Sequence, residues 1–301
     1  MSIFAILLII LSALLHASWN ILSKSNKTSV HVFFFMASLC MALLLLPFLL
    51  WFYFSAGYEH FSPRFWYLIF FSGIFQIIYL MGLGLAYKNA DVGVVYPIAR
   101  ALPVLIVGAF GFLLGDIILV KQWLGFLLIT GGCILVPLIS LRQFKLSHYL
   151  HVSIAWAVLA AIGTTGYSII DKLALSELLL HLESQHTQAQ IAIFYLGMQF
   201  WAATLPLGIS FILTGNSHYF RQAWKIKKPA FLTGFMMAGT YGLVLYAMLL
   251  TTNVSLVVAL RQVSIIFGLL LGFIFLKEKM YMPRIMGCLL MLLGLVIALS
   301  G

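Results

Sequence analysis

The chain of 301 residues is 63% hydrophobic and only 8% charged, with a mean hydropathy of +1.11. Soluble domains are about 45–50% apolar and about 25% charged, so this composition excludes a soluble globular protein and indicates an integral membrane protein. The net charge of +10 comes mostly from Lys and Arg in short runs between apolar segments. Such runs flank membrane spans, so we expect no nucleic-acid partner.

Ten apolar runs are long enough to cross a bilayer, which takes about 20 residues per helix. Continuous runs favour helices over barrel strands, which would alternate with a period of two over about ten residues. Only the connections 142–151, 175–189 and 214–229 are long enough to be loops. The predicted spans are 3–23, 30–54, 65–87, 91–114, 121–141, 152–174, 190–213, 230–252, 254–276 and 281–300.

The second half of the chain resembles the first. Residues 19–24 in span one align with residues 167–172 in span six. Residues 96–104 in span four align in the same way with residues 257–265 in span nine. The sequence therefore repeats itself, with five spans in each copy.

The repeat divides the chain into two units, 1–146 and 147–301. Because five is odd, the second copy must enter the membrane in the opposite direction to the first. The predicted fold is all-α and integral to the membrane, with ten transmembrane helices in two inverted five-helix repeats. Inverted repeats of this kind are typical of alternating-access carriers.

Arg100 and Arg261 lie within spans four and nine, at matching places in the two repeats. A charged side chain at the centre of a membrane helix costs about 2.5–3.5 kcal/mol on insertion scales, so each arginine needs a reason. One reason is anion binding, because the guanidinium fork suits carboxylate or phosphate. The alternative is a structural role at a helix break. Helical spacing predicts that Tyr96 shares a face with Arg100, and Ser264 a face with Arg261.

Span one carries a polar stripe of His16, Trp19 and Asn20, in which His16 could carry a proton. The alternative for this stripe is hydrogen bonding between helices. Other candidates for the lining of a substrate site are Gln76, Tyr79, Ser168 and Tyr241.

Small residues predict where helices approach closely. The pairs Gly111 with Gly115, and Gly268 with Gly272, have the spacing of helix-packing glycines.

All seven acidic residues fall at the ends of predicted spans or in predicted loops, namely Glu59, Asp91, Asp116, Asp171, Glu177, Glu183 and Glu278. A cavity with two arginines and no carboxylate favours negative or zwitterionic ligands over lipophilic cations. The sequence has no Walker A motif, nucleophile–base pair or zinc-binding pattern, so we expect no enzyme activity, cofactor or metal.

The chain resembles the drug/metabolite transporter superfamily, EamA type. The resemblance rests on the two five-span halves, the sequence His-Ala-Ser-Trp-Asn followed by Lys24 in span one, Tyr-Pro-Ile-Ala-Arg in span four, and an acidic residue closing spans four and nine. It implies a secondary carrier with a central cavity, and we expect spans one, three, four, six, eight and nine to enclose it.

The predicted function is therefore transport of a small anionic or zwitterionic metabolite by alternating access. The alternatives are an exporter of neutral compounds or drugs with structural arginines, and a lipid-interacting membrane protein without transport activity. The expected setting is the bilayer of a bacterial plasma (inner) membrane, crossed many times by a monomer or homodimer.

Overall fold

The computed structural model describes residues 1–24, 28–89, 92–111, 117–141, 152–251, 253–277 and 279–300. These residues form α-helices joined by short connections, with a 3₁₀ turn at Tyr58–His60 and no β-strand within the described ranges. The helices are α1 (Ile3–Lys24), α2 (Val30–Ala56), α3 (Pro63–Asn89), α4 (Val92–Phe110), α5 (Val120–Leu135), α6 (Val152–Leu182), α7 (Gln188–Leu213), α8 (His218–Lys225), α9 (Lys227–Leu249), α10 (Val254–Leu260), α11 (Val263–Leu276) and α12 (Met282–Leu299).

Eight helical stretches in the described part of the chain are long and apolar enough to cross a membrane. They correspond to predicted spans one to three and six to ten. Two shorter apolar stretches, Ala99–Phe110 and Val120–Leu135, lie at predicted spans four and five. Large apolar side chains such as Leu7, Leu11 and Phe54 are exposed on the outside of the bundle. The protein is thus an integral, multi-pass membrane protein.

Three boundaries differ from the sequence predictions. Span nine is divided into α10 and α11 by a break at Arg261 and Gln262, and the predicted loop 214–229 contains the short helix α8. Helix α6 continues to Leu182, well beyond the predicted end of span six at residue 174. The extension is stabilised by Leu175, Leu178 and Leu182, which recur on one helix face and are fully buried.

The helices pack mainly in five combinations. Helix α3 packs along α6, α1 along α9, α2 along α7, α5 along α12, and α4 along α6. Helix α1 also contacts α11, α2 contacts α9, and α3 contacts α7. Elements from the two halves of the chain are therefore intermixed, and the centre of the bundle lies between α1, α3, α6 and α9.

Helices α5 and α12 approach each other through glycines. A Cβ atom built on Gly132 would lie 2.5 Å from the carbonyl oxygen of Gly287, and one built on Gly125 would lie 2.5 Å from that of Gly294. Real Cβ contacts are almost never this short, so only glycine permits the observed approach.

Of the glycines predicted from spacing to pack helices, Gly268 does not have this role. A Cβ atom on Gly268 would have no heavy atom within 4 Å, so the packing role predicted for it is wrong. Gly115 lies outside the described residues. Spacing within one helix does not reveal which face meets a neighbour, and this is why the pairs on α5 and α12 were missed.

The close approach of α5 and α12 yields a matched test on two adjacent glycines. Gly132→Ala should destabilise the detergent-purified protein by roughly 1–3 kcal/mol, because its methyl group would clash with the backbone of α12. Gly131→Ala is the control, because a Cβ there meets nothing within 4 Å. The control should leave the melting temperature unchanged or raise it, since alanine favours helix by roughly 0.5–1 kcal/mol. Equal melting temperatures for the two variants would contradict the packing assignment.

Candidate functional site

A small central cavity of about 40 Å³ lies between the helices. It contains six of the residues that the sequence singled out, namely His16, Trp19, Gln76, Tyr79, Tyr241 and Arg261. The rest of its lining consists of Ser38, Leu80, Tyr167, Leu196, Gln199, Phe200, Ala203, Met237 and Thr240. The lining is thus mainly aromatic and polar, as in many small-molecule sites.

The break between α10 and α11 sets the position of Arg261. The amide of Gln262 donates to the carbonyl of Ala259 (3.0 Å) and the amide of Ser264 donates to the carbonyl of Arg261 (3.2 Å), which is a tighter turn than in an α-helix. The carbonyl of Val258 thereby loses its usual helical partner. It accepts instead from the side-chain amide of Gln262, at 2.9 Å. A glutamine at this position therefore stabilises the break.

The guanidinium of Arg261 is held by two tyrosines. Its Nη2 donates to the hydroxyl of Tyr167 at 3.1 Å. Its Cζ lies 5.4 Å from the ring centre of Tyr241 and 5.9 Å from that of Tyr167. Both distances are within the range of a cation–π interaction. The side chain is only 4% exposed, yet its Nη1 has no hydrogen-bond partner among the described residues.

Three other residues of the cavity lining also present buried polar atoms without a partner in the described part of the chain. These atoms are the Nε1 of Trp19, the Oε1 of Gln76 and the Oγ1 of Thr240. A buried polar group without a hydrogen bond costs about 1–3 kcal/mol. Together with Nη1 of Arg261 they form a set of donors and acceptors that a bound polar molecule can satisfy.

Arg100 is also buried, but it is not part of the cavity lining in this conformation. Its Nη2 donates to the Oγ of Ser264 at 2.7 Å and to the carbonyl of Arg261 at 3.3 Å. Arg100 thus contacts the break between α10 and α11 from α4. Ser264, predicted to bind substrate, serves here as an acceptor for Arg100.

The remaining predicted site residues have other surroundings. The side-chain amide of Asn20 donates to the carbonyl of His16 at 2.8 Å, within α1. The rings of His16 and Trp19 meet edge to face, with centres 4.9 Å apart. Ser168 is fully buried on α6 without lining the cavity, and its hydroxyl has no partner among the described residues. The side chain of Tyr96 lies outside the described residues.

Comparison with known proteins identifies a related family. The model of the EamA-like transporter family, which belongs to the drug/metabolite transporter superfamily, matches residues 3–138. The first half of the chain is therefore similar to EamA-like transporters. A solved crystal structure has the same fold, with a TM-score of 0.64 and 15% sequence identity over 98% of this chain and 96% of its own. No curated protein matches the sequence.

One prediction from the sequence is wrong, because Asp171 does not lie at a solvated span end. Its carboxylate is fully buried in the interior of α6. Oδ1 accepts hydrogen bonds from the hydroxyls of Ser72 (2.5 Å) and Tyr195 (2.7 Å). Oδ2 accepts from the side-chain amide of Gln199 (2.7 Å) and from the hydroxyl of Tyr241. The four donors come from α3, α7 and α9.

The neighbouring Lys172 has a different role. Its Nζ donates to the carbonyls of Met248 (2.7 Å) and Thr251 (2.6 Å), at the C-terminal end of α9. A cation there satisfies carbonyls that have no partner in the helix and opposes the negative end of the helix dipole. The sequence signal that could have distinguished the roles of Asp171 and Lys172 is the leucine pattern after residue 174. This pattern predicts that α6 continues, so that Asp171 lies inside the helix and not at its end.

The walls of the cavity also differ from the prediction that spans one, three, four, six, eight and nine enclose it. Helix α2 contributes Ser38 and α7 contributes four residues, including Gln199. Among the described residues, α4 contributes none. Span seven was overlooked because Gln199 is a single polar residue among apolar ones and resembles a helix-packing position.

The contact between α4 and the break in span nine can be tested by a double-mutant cycle. Arg100→Gln and Ser264→Ala should each lower the stability of the purified protein, and the combined variant should lose less than the sum, with a coupling energy of about 0.5–3 kcal/mol. Thermal unfolding in one detergent measures all variants. Ser168→Ala is the control, because this buried hydroxyl has no partner among the described residues. Additive losses for Arg100 and Ser264 would contradict the contact.

Proposed function

We propose that this protein is a secondary transporter that moves a small organic anion or zwitterion across the membrane by alternating access. The observation that carries the proposal is that Nη1 of Arg261, at the wall of the central cavity, has no hydrogen-bond partner among the described residues. A buried guanidinium with an open donor is a site for a carboxylate or phosphate oxygen.

The charges around the cavity favour an anionic group. Arg261 is the only Lys, Arg, Asp or Glu among the described residues of the lining. Asp171 lies behind the lining residues Gln199 and Tyr241, and its four hydrogen bonds leave no open acceptor position for a ligand. A lipophilic cation would therefore meet the positive charge of Arg261 without direct access to a carboxylate.

The rest of the lining supports a ligand with an apolar part. Trp19, Tyr79, Tyr167 and Tyr241 line the cavity together with Phe200. Aromatic faces supply apolar contact, while the indole and hydroxyl groups supply hydrogen bonds. The proposed ligand thus has a carboxylate or phosphate that binds Arg261 and a body that packs on these rings.

Alternating access is supported by a symmetry in the packing. Each predicted span has a counterpart five spans away in the other half of the chain. The packing of α3 with α6 has its counterpart in the packing of α9 with α1, and both are observed. In the same way, the packing of α4 with α6 corresponds to that of α11 with α1, and the packing of α2 with α9 corresponds to that of α7 with α3. This pattern is expected of ten spans in two inverted repeats, which we include in the proposal.

The proposal extends to the setting of the transporter. We infer a multi-pass protein of a bacterial inner membrane, in which a single chain supplies both halves of the cavity. The lining is drawn from both 1–146 and 147–301, with Trp19 and Gln76 from the first unit and Tyr167 and Arg261 from the second. A monomer would therefore contain a whole site, and a homodimer would contain two.

A thermal-shift screen of the purified protein tests the ligand class. The panel comprises L-glutamate, succinate, phenylpyruvate, phosphoenolpyruvate, L-tryptophan and tetraphenylphosphonium. A ligand at about 100 times its dissociation constant should stabilise the wild type by roughly 2.7 kcal/mol. Arg261→Gln should abolish the shift, since the open donor is lost. Arg64→Gln is the matched control, because the side chain of Arg64 is 64% exposed and should not affect binding.

Two results of the screen would refute the proposal. Stabilisation by tetraphenylphosphonium alone would favour a drug exporter with structural arginines. If anions stabilise Arg261→Gln as much as they stabilise the wild type, Arg261 does not bind them.

A further inference from the structure

In the parts of the chain that the structure describes, the buried carboxylate of Asp171 has no cationic partner. No Lys, Arg or His nitrogen lies within 4.0 Å of it in the described part of the chain. Buried carboxylates are usually paired with cations, since an unpaired charge in a low-dielectric interior is costly. A carboxylate at membrane depth is therefore a candidate for a functional group.

The groups around Asp171 fit both of its protonation states. A carboxylate has about four lone-pair positions, and the four donors occupy them. Three of these donors are hydroxyls, from Ser72, Tyr195 and Tyr241. A hydroxyl can turn and accept a hydrogen bond, whereas an ammonium or guanidinium group can only donate. A protonated Asp171 could thus donate to one of its present hydroxyl partners once that hydroxyl turns its own hydrogen away.

Asp171 is one side chain away from the central cavity. Gln199 and Tyr241 line the cavity and also donate to Oδ2 of Asp171. The ring of Tyr241 packs against the guanidinium of Arg261, whose Cζ lies 5.4 Å from its centre. Tyr241 therefore contacts both the cation proposed to bind the ligand and the buried carboxylate.

The ionisable groups that face Asp171 are few among the described residues. Helix α7 supplies Tyr195, α9 supplies Tyr241, and α3 supplies only the hydroxyl of Ser72. Arg261, after α10, lies behind Tyr241. Lys172, the next residue on α6, donates to the end of α9. Arg100 on α4 donates to Ser264 and the backbone of Arg261.

We propose that Asp171 binds and releases a proton in each transport cycle, and that Tyr241 links this proton to the anion bound at Arg261. This inference rests on the proposed transport function. Proton uptake adds H⁺ from cavity water to one carboxylate oxygen of Asp171. In the route through Tyr241, its hydroxyl passes a proton to Oδ2 and regains one from the cavity. Release returns the proton to water on the opposite side.

Electrostatics sets the direction of the coupling. While Asp171 is ionised, its negative charge offsets part of the field of Arg261 at the cavity. Protonation removes that offset, so an anion binds Arg261 more tightly, and by reciprocity a bound anion favours protonation of Asp171. Proton and anion are therefore carried together in the same direction.

The first experiment measures proton binding without any transport assay. Infrared difference spectra of the purified protein between mildly alkaline and mildly acidic buffer should show the carbonyl stretch of a protonated carboxylic acid. Asp171→Asn should remove this band, and Glu59→Gln should retain it because Glu59 is exposed. A wild-type spectrum without a band that depends on Asp171 would overturn the inference, whatever the outcome of the ligand screen.

The second experiment measures coupling in proteoliposomes with ¹⁴C-labelled L-glutamate, succinate and phenylpyruvate as probes. An inward proton gradient of about one pH unit should drive up to about a tenfold accumulation per coupled proton in the wild type. Asp171→Asn should lose this accumulation while it still exchanges internal for external probe. Accumulation at the wild-type level in Asp171→Asn would overturn the inference and leave the transport function intact. Absence of both exchange and accumulation in the wild type would overturn the transport proposal and the inference with it.

A matched pair of tyrosines tests the link to the cavity and covers the case in which Asp171→Asn fails to fold. Both Tyr195 and Tyr241 donate to Asp171, but only Tyr241 lines the cavity. Tyr241→Phe should lose a larger share of its gradient-driven accumulation than of its exchange. Tyr195→Phe should retain both. Equal behaviour of the two variants would overturn the role given to Tyr241.

Discussion

Inside a bilayer, a polar group that finds no partner within the protein finds none in the hydrocarbon either. This constraint governs the centre of the described structure. Arg100 donates to Ser264 and to the carbonyl of Arg261. Gln262 satisfies the carbonyl that the break in span nine releases. Asp171 collects four donors from three helices. Where a polar atom of the cavity lining has no partner among the described residues, as Nη1 of Arg261 has none, a bound ligand can supply the hydrogen bond.

The sequence predicted the class of fold because that class depends on features of single segments. Apolar length identifies a membrane helix without knowledge of its neighbours, and a charge within such a run is conspicuous. Arg100 and Arg261 were for this reason recognisable as buried residues that need a role. Their different roles in the structure were not recognisable. They occupy matching positions in the two halves, and only the packing of α4 against the break in span nine distinguishes them.

Asp171 was missed because its sequence context imitates a helix end. It is followed by Lys172 and Glu177, which read as the polar flank of a span. The error came from giving more weight to charge than to the recurrence of Leu175, Leu178 and Leu182. The break at Arg261 was missed for a related reason, since neither proline nor glycine marks it. It depends on the side-chain amide of Gln262 and on a contact from a distant helix, and neither is visible in local sequence.

The four hydrogen bonds of Asp171 also limit how the surrounding helices can move. They join α6 to α3, α7 and α9, and Lys172 joins α6 to the C-terminal end of α9. Helix α3 donates one hydrogen bond to the carboxylate, through Ser72, and α7 donates two, through Tyr195 and Gln199. Any sliding of α6 past these helices has to break a buried hydrogen bond, which costs free energy. A single dipeptide thus acts as a cross-link between α6 and three other helices.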